Sequence, residues 1–422
     1  MTWRPSFGGL WRDRRFLTFW SAQTVSEFGD RISELGLPLI AVTMLNATPA
    51  EVGLLTAAVW LPNLISLLIG SWVDQQPDKR PLMVVADLVR VVVLLSLPVA
   101  FWLGVLTLAQ LYAVAILAGT AHVFFNTAYA SFFVRLVAPE HYLEANSKLS
   151  ATRSLSQMGG PALAGLLIQF FSAPVAIVAD SLSFAFSAMQ VARLKSVPPQ
   201  TQTTTQTLLQ RAGAGMRYLL GHAYLRDIIA CAAHVNFFTF MGWALLIYFA
   251  SRNLGLSAGT IGFALGVGAS GGLLGAIFAG RLTRIFGAGI VVAVSSIVFP
   301  GALAIVALSD GPWLLRAVLL AVAEFVSAFA VMCFDVPLGA IQASVTDQSM
   351  RSRVSGAQMT INYGVRPFGA VVGGLLGGWI GPRETLLVAA IGGALCVLWL
   401  LRSPVLKVTT IEKLQSDFSS RP

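Results

Sequence analysis

The sequence predicts an all-α integral membrane protein, twelve transmembrane helices in two pseudo-symmetric six-helix bundles. Three observations carry this. Hydrophobic residues make up 56% of the chain and charged residues only 11%, where soluble domains hold about a quarter charged. Apolar runs of about 18 or more residues recur from end to end, each able to cross a hydrocarbon core of about 30 Å. The two halves also carry similar stretches in the same order.

The expected spans are about 16–45, 50–72, 82–104, 108–134, 144–170, 173–194, 223–250, 257–280, 288–308, 312–337, 354–379 and 383–402. Because the basic Arg12-Asp13-Arg14-Arg15 leads into a long span rather than a short apolar core with a cleavage site, the first span is expected to serve as its own targeting signal. One long connection, Lys195 to His222, separates the sixth span from the seventh. Its Pro198-Pro199-Gln200-Thr201 start reads as a flexible linker, and Leu208 to Leu220 as an amphipathic helix suited to the membrane surface. The predicted units are therefore 1–194 (first bundle), 195–222 (linker), 223–402 (second bundle) and 403–422 (tail).

Charge fixes the expected orientation. The formal net charge is +9, yet in a polytopic chain the location of the cations matters more than their sum, so no nucleic-acid partner is expected. With the N-terminus inside, the inner loops hold roughly twenty Lys and Arg residues against two, Arg252 and Arg383, outside, which predicts that both termini are cytoplasmic. Cys231, Cys333 and Cys396 all fall within spans and read as packing residues with no disulfide framework.

The halves match at an offset of about 210. Glu51-Val52-Gly53 aligns with Thr260-Ile261-Gly262, and the Gly70 turn with Gly280-Arg281-Leu282-Thr283-Arg284. Gly160-Pro161-Ala162-Leu163-Ala164-Gly165 aligns with Arg366-Pro367-Phe368-Gly369-Ala370-Val371. Two such repeats enclosing a midplane cavity are the build of a secondary transporter.

The turn after span 2, Gly70-Ser71-Trp72-Val73-Asp74-Gln75-Gln76-Pro77-Asp78-Lys79-Arg80, resembles the signature loop of the major facilitator superfamily, Gly-x-x-x-Asp-Arg-x-Gly-Arg-Lys. Gly70, Asp74 and Lys79 match it; Gln75, Pro77 and Asp78 depart. Gly160, Pro161 and Gly165 are similar to the Gly-Pro-x-x-Gly-Gly motif of proton-coupled antiporters, with Ala164 for one glycine. Within the superfamily the chain resembles the bacterial drug-exporter branch of macrolide-efflux and enterobactin-export proteins. The marks are Gly29-Asp30-Arg31, Asp87-Leu88-Val89-Arg90, Ala128-Tyr129-Ala130-Ser131, Glu144-Ala145-Asn146-Ser147-Lys148-Leu149, Asp180-Ser181-Leu182-Ser183-Phe184 and Gly215-Met216-Arg217-Tyr218-Leu219. Asn126 stands where that branch is expected to have an Asp. The resemblance implies alternating access, antiport of a hydrophobic small molecule against protons, no cofactor and a monomer in the bilayer.

Ionisable residues at membrane depth are functional candidates, because each costs several kcal/mol unless paired or wet. Glu27, Asp30, Arg31 and Glu34 fall on one face of span 1 at helical spacing. One arginine against three acids leaves a net negative face, expected to turn to a wet cavity and exchange protons, with Asp30 foremost and an interhelix ion-pair lock as the other reading. Glu324 and Arg366 lie near the midplane, where they could bridge the halves. Asp87 and Arg90 read as a structural pair near the inner gate, and Asp180 and Asp335 as shallower structural acids. His122 is a candidate proton relay. Asn126, Tyr129, His234, Phe237, Met241 and Tyr248 are candidate cavity residues, His122 and His234 also reading as neutral core histidines and the aromatic stripes as packing. A dedicated exporter of a siderophore or other endogenous product, selected by Arg31 and Arg366, is the second expectation. A non-transporting sensor or scaffold is the third. The sequence shows no metal-ligand cluster, nucleophile elbow or phosphate loop, so no enzyme is expected.

Overall fold

The computed structural model describes residues 9–195, 208–348, 350–411 and 413–414. The predicted linker start at 198–205 and the last eight residues of the predicted tail lie outside them, as do Arg4 and Arg421, two of the inner cations counted above. The described residues are helical, with no strand. Fourteen helices organise the chain: α1 (Arg14–Leu39); α2 (Pro49–Gln75), α3 (Arg80–Trp102) and α4 (Leu108–Leu136); α5 (Tyr142–Phe171); α6 (Ala173–Arg193); α7 (Leu208–Gly221); α8 (Ala223–Asn253), α9 (Ala258–Phe286), α10 (Ala288–Ala307) and α11 (Trp313–Val345); α12 (Arg351–Gly364) and α13 (Arg366–Trp379); and α14 (Pro382–Leu401). Among the described residues nine of these are long and apolar enough to cross a membrane on their own composition. The three remaining predicted spans are α1, α5 and the α12–α13 pair. They are helical as well, and they carry Glu27, Asp30, Arg31, Glu34, Lys148, Arg153, Arg353 and Arg366.

Local signals start the helices where expected. Asp13 caps α1 by accepting from Arg15 N at 2.8 Å. Thr48 and Glu51 form a reciprocal capping box on α2, and Ser257 caps α9; such caps satisfy the orphan N–H groups of the first turn.

The two halves repeat in a single register of 209 residues. Short π-helical turns at Ile40–Met44 and Phe249–Asn253 end α1 and α8. Positive φ falls at Asn46 and Gly255, and again at Ser172 and Gly381. The caps Thr48 and Ser257 share the same spacing. This register sets Gly165 on Gly374, so the sequence alignment of 160–165 with 366–371 is three residues out of step. That alignment followed the prolines, whereas backbone geometry follows the turns.

Within the first half α1 packs on α5 and α6, and α3 on α4 and α6; within the second, α9 packs on α11 and α8 on α13 and α14. Two symmetric contacts join the halves, α2 with α13 and α5 with α9. Both are made by glycines at backbone distance. A Cβ at Gly53 would lie 2.5 Å from Gly374 Cα, and one at Gly165 would lie 3.0 Å from Gly262 Cα. Small residues are what allow such close helix approach in a membrane protein.

The halves are bonded at one end, the end opposite the termini. Arg252 donates to Val42 O and to Asn46 Oδ1, both at 2.5 Å. Gln169 Oε1 accepts from Gly259 N at 3.0 Å and Ser257 Oγ at 3.1 Å. These are the hydrogen bonds between halves among the described residues. Arg316 joins Arg252 and Arg383 there as a third cation, having been assigned to a span; it donates to Leu254 O at 2.9 Å, and Arg383 to Ser309 O at 3.4 Å. All three cap carbonyls at helix ends.

The linker helix α7 docks on α12. Leu219 is buried, Gly215 sits against the Arg353 backbone, and Tyr218 OH donates to Asp347 Oδ2 at 3.0 Å. Cys231, Cys333 and Cys396 are buried free thiols.

Candidate functional site: a charged cavity between the halves

The polar residues of the first half separate into two layers. The outer layer faces open space. Arg31 Nη1 binds Glu34 Oε2 at 2.6 Å and Arg31 Nη2 lies 3.8 Å from Glu27 Oε2. Glu27 Oε1 also meets Arg153 Nε at 3.4 Å, and the Glu27 carbonyl accepts from Ser156 Oγ at 2.6 Å. Arg153, on α5, is the cation that sequence reasoning missed; with it the α1 face holds two guanidiniums, not one. Gly160 makes room for the Arg31 stem, so this glycine of the antiporter-like motif positions the ion-pair ladder. His122 and Asn126 on α4 are exposed and joined at 2.7 Å. His122 is nevertheless within electrostatic reach of Arg90, Arg31 and Arg153, so these exposed groups look into a space between helices. Tyr129 stacks on Phe19 with centroids 5.3 Å apart.

The inner layer is a buried charge cluster. Asp87, Arg90 and Asp180 are 0%, 4% and 0% exposed. Arg90 Nη1 approaches Asp87 Oδ1 to 3.7 Å, while its guanidinium lies 4.6 Å from the Phe184 centroid and 5.0 Å from that of Phe125. Asp180 accepts from Ser33 Oγ, and from Ser183 Oγ at 3.2 Å. Asp30 is within electrostatic reach of Arg90, Arg31 and Asp180. Three carboxyls from α1, α3 and α6 thus share Arg90. Asp180, read as shallow from sequence, belongs at the centre of this group. Its signal was an acid with Ser183 three residues on, facing Gly29, where a side chain would collide with Ser183 and Asp180.

The second half presents a different wall. The Arg366 guanidinium sits among three rings, 4.3 Å from Tyr363, 4.5 Å from Trp60 and 4.6 Å from Phe240. Its Nε donates to Asn236 Oδ1 at 3.2 Å. Trp60 comes from α2 of the first half, so the cage spans both halves. Sequence reasoning selected Arg366 but missed Trp60, Asn236, Phe240 and Tyr363. The stripe it chose instead packs inward: Phe237 and Met241 lie against Gly369 and Gly373 of α13, and Tyr248 against the main core. His234 Nε2 donates to the Gly392 carbonyl at 2.8 Å and Nδ1 accepts from Trp399 Nε1 at 3.4 Å, which ties α8 to α14. Glu324 has no hydrogen bond or ion pair among the described residues and sits over Gly268 of α9; no bridge links it to Arg366.

The loop that resembles the superfamily signature is a knot of helix caps. Lys79 Nζ donates to Val73 O at 2.5 Å, Gln76 O at 2.6 Å and Asp74 O at 3.0 Å, closing the C-terminus of α2. Burial pushes the Lys79 ammonium below the usual lysine range, Arg135 adding to this and Asp74 opposing it. Arg80 donates to Leu194 O at 2.8 Å. Gly70 has only Thr127 near it, 3.8 Å from an added Cβ, so no backbone approaches that glycine here.

A twofold-repeated bundle of membrane-length helices, with charged side chains gathered among the helices of the first half and at Arg366 of the second, has the architecture of a membrane transporter. The chain belongs to the major facilitator superfamily, in the family described as transmembrane secretion effector, whose model matches residues 6–421. It is similar to the uncharacterized MFS-type transporter YfiS of Bacillus subtilis (strain 168), 24% identical over 90% of this chain and 91% of that one. It is also similar to the multidrug efflux pump Tap of Mycolicibacterium fortuitum, 23% identical over 86% and 89%. Among solved structures, a bacterial homologue of the iron transporter ferroportin in its inward-facing state superposes with a TM-score of 0.75 at 16% identity, covering 93% of this chain and 98% of that one. The nucleoside transporter NupG gives 0.69 at 13% identity over 92% and 98%. These likenesses are in fold.

Proposed function

We propose that this protein is a proton-driven exporter of hydrophobic small molecules that works by alternating access in the bacterial inner membrane, as a monomer with both termini cytoplasmic and bundles 1–194 and 223–402 as the moving units. The observation that carries the reading is the excess of carboxyls, Asp30, Asp87 and Asp180, over the guanidinium they share, Arg90, with Arg31 reaching Asp30 alone, in a cluster approached from the charged face of α1. An unpaired carboxylate held away from water costs several kcal/mol, so such a cluster favours holding a proton until a change of state opens it. The ladder Glu34, Arg31, Glu27, Arg153 and the His122–Asn126 pair line the approach. Glycine contacts at Gly53–Gly374 and Gly165–Gly262 provide surfaces on which the halves can rock, and the bonds of Arg252 and Gln169 close the outer end in this state. The name of the Tap relative, a multidrug efflux pump, supports drugs as substrates.

The test is flux in proteoliposomes under an imposed pH gradient. Asp30→Asn and Asp180→Asn are expected to fold, bind substrate and lose gradient-driven transport. Unchanged concentrative transport in both variants would remove this cluster from coupling. A dedicated exporter of one endogenous product is the second reading, favoured by the Arg366 cage.

A further inference from the structure

Arg366 is built as an anion fork. Its flat faces are covered by the Tyr363, Trp60 and Phe240 rings at 4.3–4.6 Å, and its Nε is committed to Asn236. The Asn236 amide is itself oriented, since Nδ2 donates to the Ala232 carbonyl at 2.9 Å. Two terminal nitrogens remain, and among the described residues neither makes a hydrogen bond nor an ion pair. They are not sealed off: neither is among the buried unpartnered atoms, and Arg366, Trp60, Phe240 and Tyr363 are each half-buried. A guanidinium fixed by stacking, with its fork open, matches a carboxylate two bonds at a time. Around it stand ring faces on three different helices, α2, α8 and α12.

We propose that this site takes a planar aromatic compound bearing a carboxylate, the acid on the Arg366 fork and the ring against Trp60, Phe240 or Tyr363. The inference rests on reading the space between the halves as the substrate passage. It makes Arg366 a specificity-determining residue. Asp335 on α11 is the charged group within electrostatic reach of the fork. It forms no ion pair with Arg366 among the described residues, so it stands as a competitor that an incoming anion meets.

The experiment is equilibrium binding of radiolabelled 2-naphthoate, with neutral 2-naphthamide as its control, to the purified full chain in detergent without any gradient. The wild type is expected to prefer naphthoate by about tenfold or more, the usual margin of a charge-assisted bond over a neutral one. Arg366→Gln should abolish the preference and Arg366→Lys reduce it. Trp60→Leu should weaken both ligands alike, and Asp335→Asn should tighten naphthoate alone. Equal binding of acid and amide to the wild type, or a preference that survives Arg366→Gln, overturns the proposal. Should Arg366→Gln not fold, an Asp335→Asn protein that binds naphthoate no better than the wild type overturns it as well. Asp30→Asn is expected to keep the preference. Unchanged gradient-driven flux with that preference intact would count against the proton-coupled exporter reading and leave this one standing.

Discussion

Arg90 stands one helical turn from Asp87 on α3, 3.7 Å away and buried with it, yet both Asp87 carboxylate oxygens and the Arg90 Nε and Nη2 are without hydrogen bonds among the described residues. The pair is held by charge and by the Phe184 and Phe125 rings. Removing Arg90 leaves buried carboxyls with no counter-charge. Arg90→Leu should therefore destabilise the protein by about 3–5 kcal/mol, read as a fall in melting temperature in detergent. Asp87→Asn added to it should restore part of the loss. A single variant as stable as the wild type would show that the cluster is hydrated.

The outer closure rests on few bonds. Arg252→Ala removes those to Val42 and Asn46, and Gln169→Ala those to Ser257 and Gly259. The double variant should shift the equilibrium toward the state open at that end, by about 2–6 kcal/mol if each of the lost bonds counts as usual. A cysteine at Thr48 should then react faster with a membrane-impermeant maleimide. Equal labelling rates would assign the closure to the glycine contacts alone.

Ser172 has φ of 79° and ψ of 158°, a conformation that suits glycine, and its partner in the 209-residue register is Gly381 at φ 103°. Strain at such a non-glycine residue is on the order of 1–3 kcal/mol. Ser172→Gly should raise the unfolding temperature, offset in part by greater freedom of the unfolded chain, and Gly381→Ser should lower it. Opposite signs at two symmetry-related sites are the expected result.

Lys79 closes α2 by donating to three carbonyls. Lys79→Met keeps the stem and deletes the donors, which should cost about 2–3 kcal/mol for the carbonyls left without partners. Protease cleavage in the 75–80 turn should increase. Resistance equal to the wild type would mean that Arg80 and Arg135 hold the turn by themselves.

The sequence by itself determined the membrane class, the helix order and the repeat. Those depend on local composition and on its recurrence along the chain, whereas the caps of Thr48 with Glu51 and of Ser257 came from the structure. It also picked out Asp30, Arg31 and Arg366, because a charge in an apolar run is visible without knowing its surroundings. Which charges meet was a matter of tertiary structure. Asp180 joins Asp30 only because Gly29 lets α6 close on α1, Arg153 reaches Glu27 across 126 residues of chain, and Trp60 reaches Arg366 across the boundary between halves. Helical periodicity gives the face of a residue but not the neighbour opposite, and the glycine rows of α13 that took Phe237 and Met241 inward turned the adjacent stripe, Asn236 and Phe240, toward the cage.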